Sequence, residues 1–177
     1  MRIFISLLAA LLLCLLLPVF ALGENMDQLV PIEMTPEAAG QTLDLYCGPT
    51  QGFYRHGGQT LDTGKDYVLF GQYDCWAMAA QGTKDDFGPI GWVEAGSITD
   101  IPYEPQLSFE EGFAAMVEEN APMTDAPLAE NPFEGWTASL EPGAQITVLA
   151  HLGDWLYVQT EINAVPARVF IRTDTVF

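Results

Sequence analysis

Basic side chains are scarce in this sequence of 177 residues. Only 6 Lys and Arg residues accompany 24 Asp and Glu residues, so the formal net charge is −18. Phosphate backbones and anionic membrane surfaces are bound by clusters of Lys and Arg, and six scattered cations cannot form such a cluster. The composition therefore argues against a nucleic-acid-binding protein and against binding to anionic lipids.

Histidine and cysteine are also few, with 2 His and 3 Cys residues. His56 and His151 lie too far apart, and the cysteines are too few, for a zinc-binding spacing. No loop has the alternating ligands of an EF-hand. The pair Gly57 and Gly58 lacks the Lys and helix that follow the glycines of a phosphate-binding loop. The sequence predicts neither a metal nor a cofactor.

The first 23 residues have the layout of an export signal. A single cation, Arg2, precedes the apolar stretch 3–20, and the small residues Ala21 and Gly23 follow. This pattern predicts a signal peptide, residues 1–23, cleaved after Gly23. The alternative is a retained membrane anchor, since the run approaches the length of a span. We expect a secreted or cell-surface protein with no integral membrane segment after cleavage.

The mature chain is even more acidic than the full sequence. Removing residues 1–23 takes away one Arg and no acid, which leaves 24 acidic and 5 basic side chains, a net charge of −19, over 154 residues. Cys47 and Cys75 remain. Outside the cytoplasm such a pair is consistent with a disulfide, and two unpaired thiols are the other interpretation.

Strand and turn signals dominate the mature chain. Residues 24–40 are acidic, contain two prolines and predict an extended lead-in. From residue 41 onward, short runs rich in β-forming residues, such as Tyr67–Phe70, alternate with Gly- and Asp-containing turns. This spacing predicts an all-β protein built as a small barrel or sandwich.

The sequence also contains an internal repeat. Leu61, Gly64 and Trp76 recur 79 positions later, and Gly91–Val93 matches a segment 78 positions later; the matching residues are Leu140, Gly143, Trp155 and Val169–Ile171. Four anchors with a single shift of one residue indicate two copies of one unit of about 60 residues. We predict a first repeat at 41–100 and a second repeat at 122–177.

Residues 101–121, between the repeats, permit two interpretations. Ser108 and Glu111 form a capping-box pattern before an apolar run, which predicts a short helix. The alternation of Phe113, Ala115 and Val117 predicts instead an extended lead-in to the second repeat.

The repeats resemble the bacterial SH3-like domain, often called SH3b, a small barrel of five to seven strands found in exported bacterial proteins. The first repeat has the family's Gly-Pro turn, its leucine and glycine, its tryptophan and its terminal Gly-Trp-Val; these are Gly48, Pro49, Leu61, Gly64, Val68, Trp76 and Gly91–Val93. The second repeat has its middle portion; this is Leu140, Gly143, Ile146, Val148, Leu149 and Gly153–Val158. It departs from the family at Asp125–Leu128 and at Val169–Ile171. The resemblance implies two tandem small SH3-like β-barrels that bind peptidoglycan peptides or partner proteins.

Aromatic residues are the candidates for ligand binding. Trp76 and Trp155 occupy equivalent positions and are expected in the core, because a domain of about 60 residues needs bulky side chains to form one. Four loop aromatics have no place in the strand pattern and could stack on a peptide or sugar; they are Phe53, Tyr54, Phe133 and Trp136.

Catalysis has one candidate arrangement. Asp74-Cys75 and His151-Leu152-Gly153 are similar to the cysteine and histidine motifs of cell-wall peptidases. In those enzymes small residues follow the cysteine on a helix, whereas Trp76 follows Cys75 and the repeat places this pair in a β-turn. We therefore expect a non-catalytic binding or scaffolding protein of the cell envelope. Its acidity favours peptide stems, neutral glycans or a basic protein partner. The alternatives are a thiol hydrolase using Cys75 and His151, and an interaction or inhibitor protein with no wall ligand.

Overall fold

The structure is a computed structural model, and it describes residues 24–25, 31–36, 40–98, 109 and 112–176. Within these residues the chain forms strands and two short 3-10 turns, so the predicted all-β class is confirmed. No helix among them is long and apolar enough to cross a membrane. The predicted signal peptide, residues 1–23, lies outside the described residues.

Thirteen strands are present in the described ranges. They are β1 Glu24–Asn25, β2 Ile32–Met34, β3 Thr42–Asp44, β4 Thr60–Asp62, β5 Tyr67–Tyr73, β6 Trp76–Thr83, β7 Asp86–Glu94, β8 Phe113–Met116, β9 Ala121–Pro122, β10 Ser139–Leu140, β11 Gln145–Leu152, β12 Trp155–Ile162 and β13 Val165–Arg172. The 3-10 turns are Ala95–Ser97 and Thr173–Thr175.

The strands form one large sheet in each half of the chain. The first sheet has the order β2-β5-β6-β7 and the second has β11-β12-β13, with β1 and β8 on the free side of β11. The two-stranded sheets β3-β4 and β9-β10 accompany them. Apart from β1, which runs parallel to β11, the paired strands are antiparallel. Short hairpin turns therefore suffice to connect β5, β6 and β7, and β11, β12 and β13.

The repeat found in the sequence is also a repeat of strands. β6 begins at Trp76 and β12 at Trp155, and the strand before each contains a bulge, after Leu69 in β5 and after Val148 in β11. The turns that lead into β6 and β12 contain residues with positive φ at equivalent positions, Asp74 at 53° and Gly153 at 55°. This left-handed conformation reverses the chain tightly, and Asp and Gly are among the residues that tolerate it.

Strands outside the predicted repeats also join the sheets, β2 and β8 among them. Ile32–Met34, within the predicted lead-in 24–40, is the edge strand β2, and Met34 is buried in the first core. Phe113–Met116, within the predicted linker 101–121, is strand β8 rather than a helix. It pairs with β11, Phe113 opposite Val148. This pairing satisfies backbone groups of the β11 edge, which a helix could not do. Residues 101–108, 110 and 111 lie outside the described residues.

Each sheet is buried on both faces, which explains the continuous apolar run Trp76–Ala80 in β6. One face of the first sheet packs in a core with Leu61 and Val93, and one face of the second sheet packs in a core with Val158 and Ile171. The opposite faces meet in a third cluster, the shared core. It contains Val68, Phe70, Trp76, Met78, Ala80, Ile90, Trp92, Phe109, Leu149, Ala150, Trp155, Tyr157 and Phe170.

Two equivalent main-chain hydrogen bonds join the repeats. The main-chain N–H of Arg168 donates to the carbonyl of Cys47 at 2.5 Å, and the N–H of Ile90 donates to the carbonyl of Asp125 at 2.7 Å. Each group in the first bond lies 78 positions from its counterpart in the second. The two repeats therefore meet through the same surface, as the subunits of a two-fold dimer do, although one chain carries both.

Candidate functional site

The four loop aromatics predicted to bind a ligand do not form one surface. Tyr54 and Trp136, 82 positions apart, lie together with ring centroids 6.4 Å apart. Both are half-buried and pack against the core of the second repeat. Phe133 is 38% exposed and lies 5.7 Å from the Trp155 ring. Phe53 lies under the guanidinium of Arg168.

Phe53 is positioned by the Gly-Pro turn. Its ring lies against the backbone of Gly48, where any larger residue would collide with it. On its other side, the Arg168 guanidinium is 5.5 Å from the Phe53 centroid and 5.6 Å from that of Phe109. Burial lowers the pKa of Arg168, which still stays a cation. Phe53 thus helps to hold a half-buried cation at the contact between the repeats.

His56 lies at the centre of a second arrangement, the junction cluster, formed by His56, Asp125, Gly135 and Trp136. Its Nδ1 is 3.1 Å from Oδ2 of Asp125, and its Nε2 is 3.1 Å from the carbonyl oxygen of Gly135. The imidazole stacks on Trp136 at 3.9 Å, and the indole N–H donates to Oδ1 of Asp125 at 3.0 Å. The cluster joins the first repeat to the second.

Cys47 lies beside the junction cluster but is not activated by it. Burial raises the pKa of the Cys47 thiol to about 12, and the Asp125 carboxylate adds to the rise. Both ring nitrogens of His56 already have other partners, Nδ1 in the Asp125 carboxylate and Nε2 in the Gly135 carbonyl. At neutral pH Cys47 therefore stays protonated and is a poor nucleophile.

The second cysteine is placed differently. Both Cys47 and Cys75 are free thiols in the structure, Cys47 buried and Cys75 exposed, rather than the two halves of a disulfide. Cys75 lies in the turn between β5 and β6, and its sulfur is 3.8 Å from Oδ2 of Asp74. Within the described residues no hydrogen bond joins Cys75 to His151, whose Nε2 is buried without a partner.

An acidic groove lies on the first repeat. We define it by Asp44, Tyr46, Gln51 and Glu94; Thr42, Leu43 and Ser97 complete its lining, and its volume is about 250 Å³. Gln51 donates to Oε1 of Glu94 at 2.8 Å. Tyr46 forms the aromatic wall and is held edge-on against the buried Trp76 at 5.6 Å. The groove therefore combines two carboxylates with a fixed aromatic ring.

A cation of the chain itself already lies at this groove. The Arg55 guanidinium is 5.6 Å from the centroid of the Tyr46 ring and forms an ion pair with Asp44 at 2.6 Å. A cation above an aromatic face and beside a carboxylate is attracted by both. The groove thus has the chemistry needed to hold a guanidinium or ammonium group.

The equivalent region of the second repeat has a different charge. Arg172 occupies the position of Glu94, and Thr124 occupies the position of Tyr46 in the bridge to the last strand. The Arg172 guanidinium covers the Trp155 ring at 4.8 Å. The acidic groove is therefore a feature of the first repeat alone.

Another groove, of about 270 Å³, lies along β2 and β5 and includes Glu33 and Asp66. The residues that the structure describes hold no group of three or more His, Cys, Asp or Glu side chains that could bind a metal ion.

Sequence reasoning missed Asp44, Tyr46 and Glu94, and it found no partner for His56. The acids stand singly among many others, so their proximity depends on pairing between distant segments: Tyr46 with Trp92, and β3 with β4. One signal was available. At the offset of 78 the repeat places Arg172 opposite Glu94, and such a reversal of charge marks a position where the two repeats differ.

Comparisons with protein-family models, with curated proteins and with solved structures find no match to this chain.

Proposed function

We propose that this chain is an exported, non-catalytic binding or scaffolding protein of the bacterial cell envelope. Its acidic groove binds a peptide or protein segment that presents a basic side chain. The observation that carries the proposal is the Arg55 guanidinium stacked on Tyr46 and paired with Asp44, because a cation held there within the chain supports a basic ligand.

The charge of the whole chain supports a basic partner. With a net charge of −18, the protein attracts cations over a distance and repels anionic wall polymers. Glu94 remains available to a second cation, because among the described residues its partner is the neutral Gln51 amide and not a Lys or Arg. A basic residue entering the groove would therefore meet one unneutralised carboxylate beside the Tyr46 ring.

The packing of the two repeats supports a scaffold. Because the repeats share a core, the groove is presented on a body that need not order itself when a ligand binds. Of the four aromatic residues predicted to bind a ligand, the proposal keeps Phe133 as a ligand contact. Phe133 is the exposed member of the four, whereas Tyr54 and Trp136 are largely used in packing between the repeats.

The experiment is a binding titration with a lysine-containing wall stem peptide, repeated with purified peptidoglycan at several salt concentrations. Glu94→Gln should weaken peptide binding about two- to fivefold, as expected for one partly exposed ion pair. Arg55→Ala should strengthen it, because it removes the cation that competes for Tyr46. Glu161→Gln, which removes an exposed charge from the second repeat, is the matched control and should leave affinity unchanged.

Added salt should weaken binding of the wild-type protein more steeply than binding of Glu94→Gln. Equal affinities for wild type, Glu94→Gln and Arg55→Ala would contradict a role for the groove. Absence of binding to peptidoglycan under every condition, together with capture of a basic envelope protein, would favour an interaction protein with no wall ligand.

A further inference from the structure

His56 lies between two acceptors. Its Nδ1 lies against the Asp125 carboxylate and its Nε2 against the Gly135 carbonyl, each at 3.1 Å. The histidine and aspartate side chains are only 13% and 6% exposed, so water does not easily replace Asp125 as the partner of Nδ1. A neutral imidazole carries one N–H and can donate to only one of the two acceptors. The doubly protonated ring donates to both.

A partner for the neutral ring is also present. The Gln59 amide nitrogen is 3.3 Å from Nδ1 of His56 and can donate to it when that nitrogen is unprotonated. The neutral ring would then keep its bond to Gly135 through Nε2–H, accept from Gln59, and lose its bond to Asp125. The bond between His56 and Asp125 is therefore the one that depends on the proton.

The surroundings favour a cation at this position. The titratable groups that face the imidazole are the Asp125 carboxylate and the Cys47 thiol, which accepts the main-chain N–H of His56 and stays neutral below about pH 12. Trp136 stacks on the ring at 3.9 Å, and an indole face attracts an imidazolium. The same indole donates to Asp125, which orients the carboxylate toward His56.

We propose that His56 is a proton-dependent latch between the two repeats. When the ring is protonated, its ion pair with Asp125 fastens the loop 47–59 of the first repeat to the loop 125–136 of the second. When the proton leaves, that bond is lost and the loops are held by neutral contacts. Histidine side chains ordinarily change charge between pH 5 and 8, so the test of the latch spans that interval.

The sign of the effect follows from the bonds. The doubly protonated ring gains its ion pair only in the folded chain, so the stabilisation is present while both ring nitrogens carry protons and is lost when rising pH removes one of them. Because Gln51 lies in the loop 47–59 and lines the acidic groove, loosening of the loop would also change the groove.

The test is urea denaturation between pH 5.5 and 8.5 on wild type, His56→Gln and His151→Gln. The chain has 2 histidines, so His151→Gln retains His56 alone. From pH 5.5 to pH 8.5, the ratio of folded to unfolded protein should fall about tenfold more in wild type and in His151→Gln than in His56→Gln. A tenfold change corresponds to the loss of one charge-assisted hydrogen bond. An identical pH dependence in His56→Gln and wild type would overturn the proposal.

Imidazole NMR provides a second measurement that does not require a comparison of stabilities between variants. In His151→Gln at pH 5.5, both ring nitrogens of His56 should carry protons, and the indole N–H resonance of Trp136 should shift with the same midpoint as the ring. A singly protonated ring at pH 5.5, or a Trp136 resonance that does not follow the titration, would refute the latch.

Discussion

Tyr157 accepts a side-chain hydrogen bond inside the shared core. The indole N–H of Trp92, in the first repeat, donates to the Tyr157 hydroxyl, in the second repeat, at 2.9 Å. Trp92 is fully buried and Tyr157 is 2% exposed. Tyr157→Phe keeps the ring and removes only the oxygen atom, so it tests this bond with little change in packing.

The expected cost follows from the burial. Without the hydroxyl, the Trp92 N–H loses its acceptor in a place that water does not reach, and leaving such a donor unpaired costs about 1–3 kcal/mol. Tyr46→Phe also removes a phenolic hydroxyl, but from the partly exposed groove. It should change the free energy of unfolding by less than about 0.5 kcal/mol.

The assay is urea denaturation followed by both tryptophan fluorescence and circular dichroism. Because Trp92 and Tyr157 belong to different repeats but one core, Tyr157→Phe should lower the midpoint of a single transition reported equally by both signals. Two separate transitions, of which Tyr157→Phe moves only one, would refute the reasoning that the repeats fold as one body.

Three further predictions follow from single groups. Burial raises the pKa of Tyr157 from 10.0 to about 12, so the stability that depends on its protonation is complete below pH 10 and is lost toward pH 12. Between pH 9 and pH 12, the free energy of unfolding should therefore fall by about 2–3 kcal/mol less in Tyr157→Phe than in wild type. Equal losses in the two proteins would contradict this prediction. The exposed Cys75 should react rapidly with a thiol reagent. Cys47 is 5% exposed and its pKa is raised to about 12, so it should react only on unfolding. Equal reaction rates for the two cysteines, or no free thiol at all, would contradict this placement. Gly153→Ala places an L side chain at a φ of 55° and should destabilise the folded protein by about 1 kcal/mol. The control Gly96→Ala has space for its methyl group. Equal midpoints of the two variants in thermal denaturation would contradict a strained alanine at position 153.

The sequence was most informative where a pattern is local. Glycine, tryptophan and alternating strands repeat at a nearly constant offset, and Trp76 and Trp155 are both 6% exposed, as expected of core residues. The all-β class follows from the same short strands and turns. These signals depend on the residue type and its immediate neighbours, which one sequence contains.

Contacts between the repeats could not be predicted in the same way. A continuous apolar run such as Trp76–Ala80 indicates burial on both sides but does not say which surface covers the second side. Likewise, Tyr54 and Trp136 have the composition of a recognition surface, but the fold uses them to join the repeats. The partners of His56 were hidden for the same reason, because Asp125 is 69 residues away.

Hydrogen exchange tests most directly the claim that two repeats form one body. The groups to follow are the indole N–H of Trp92 and the main-chain N–H groups of Ile90 and Arg168, each of which bonds across to the other repeat. All three should exchange only through global unfolding, with the same free energy as urea denaturation gives. Exchange of these three well before the amides inside β6 and β12 would show that the repeats separate while each stays folded, and would contradict the account.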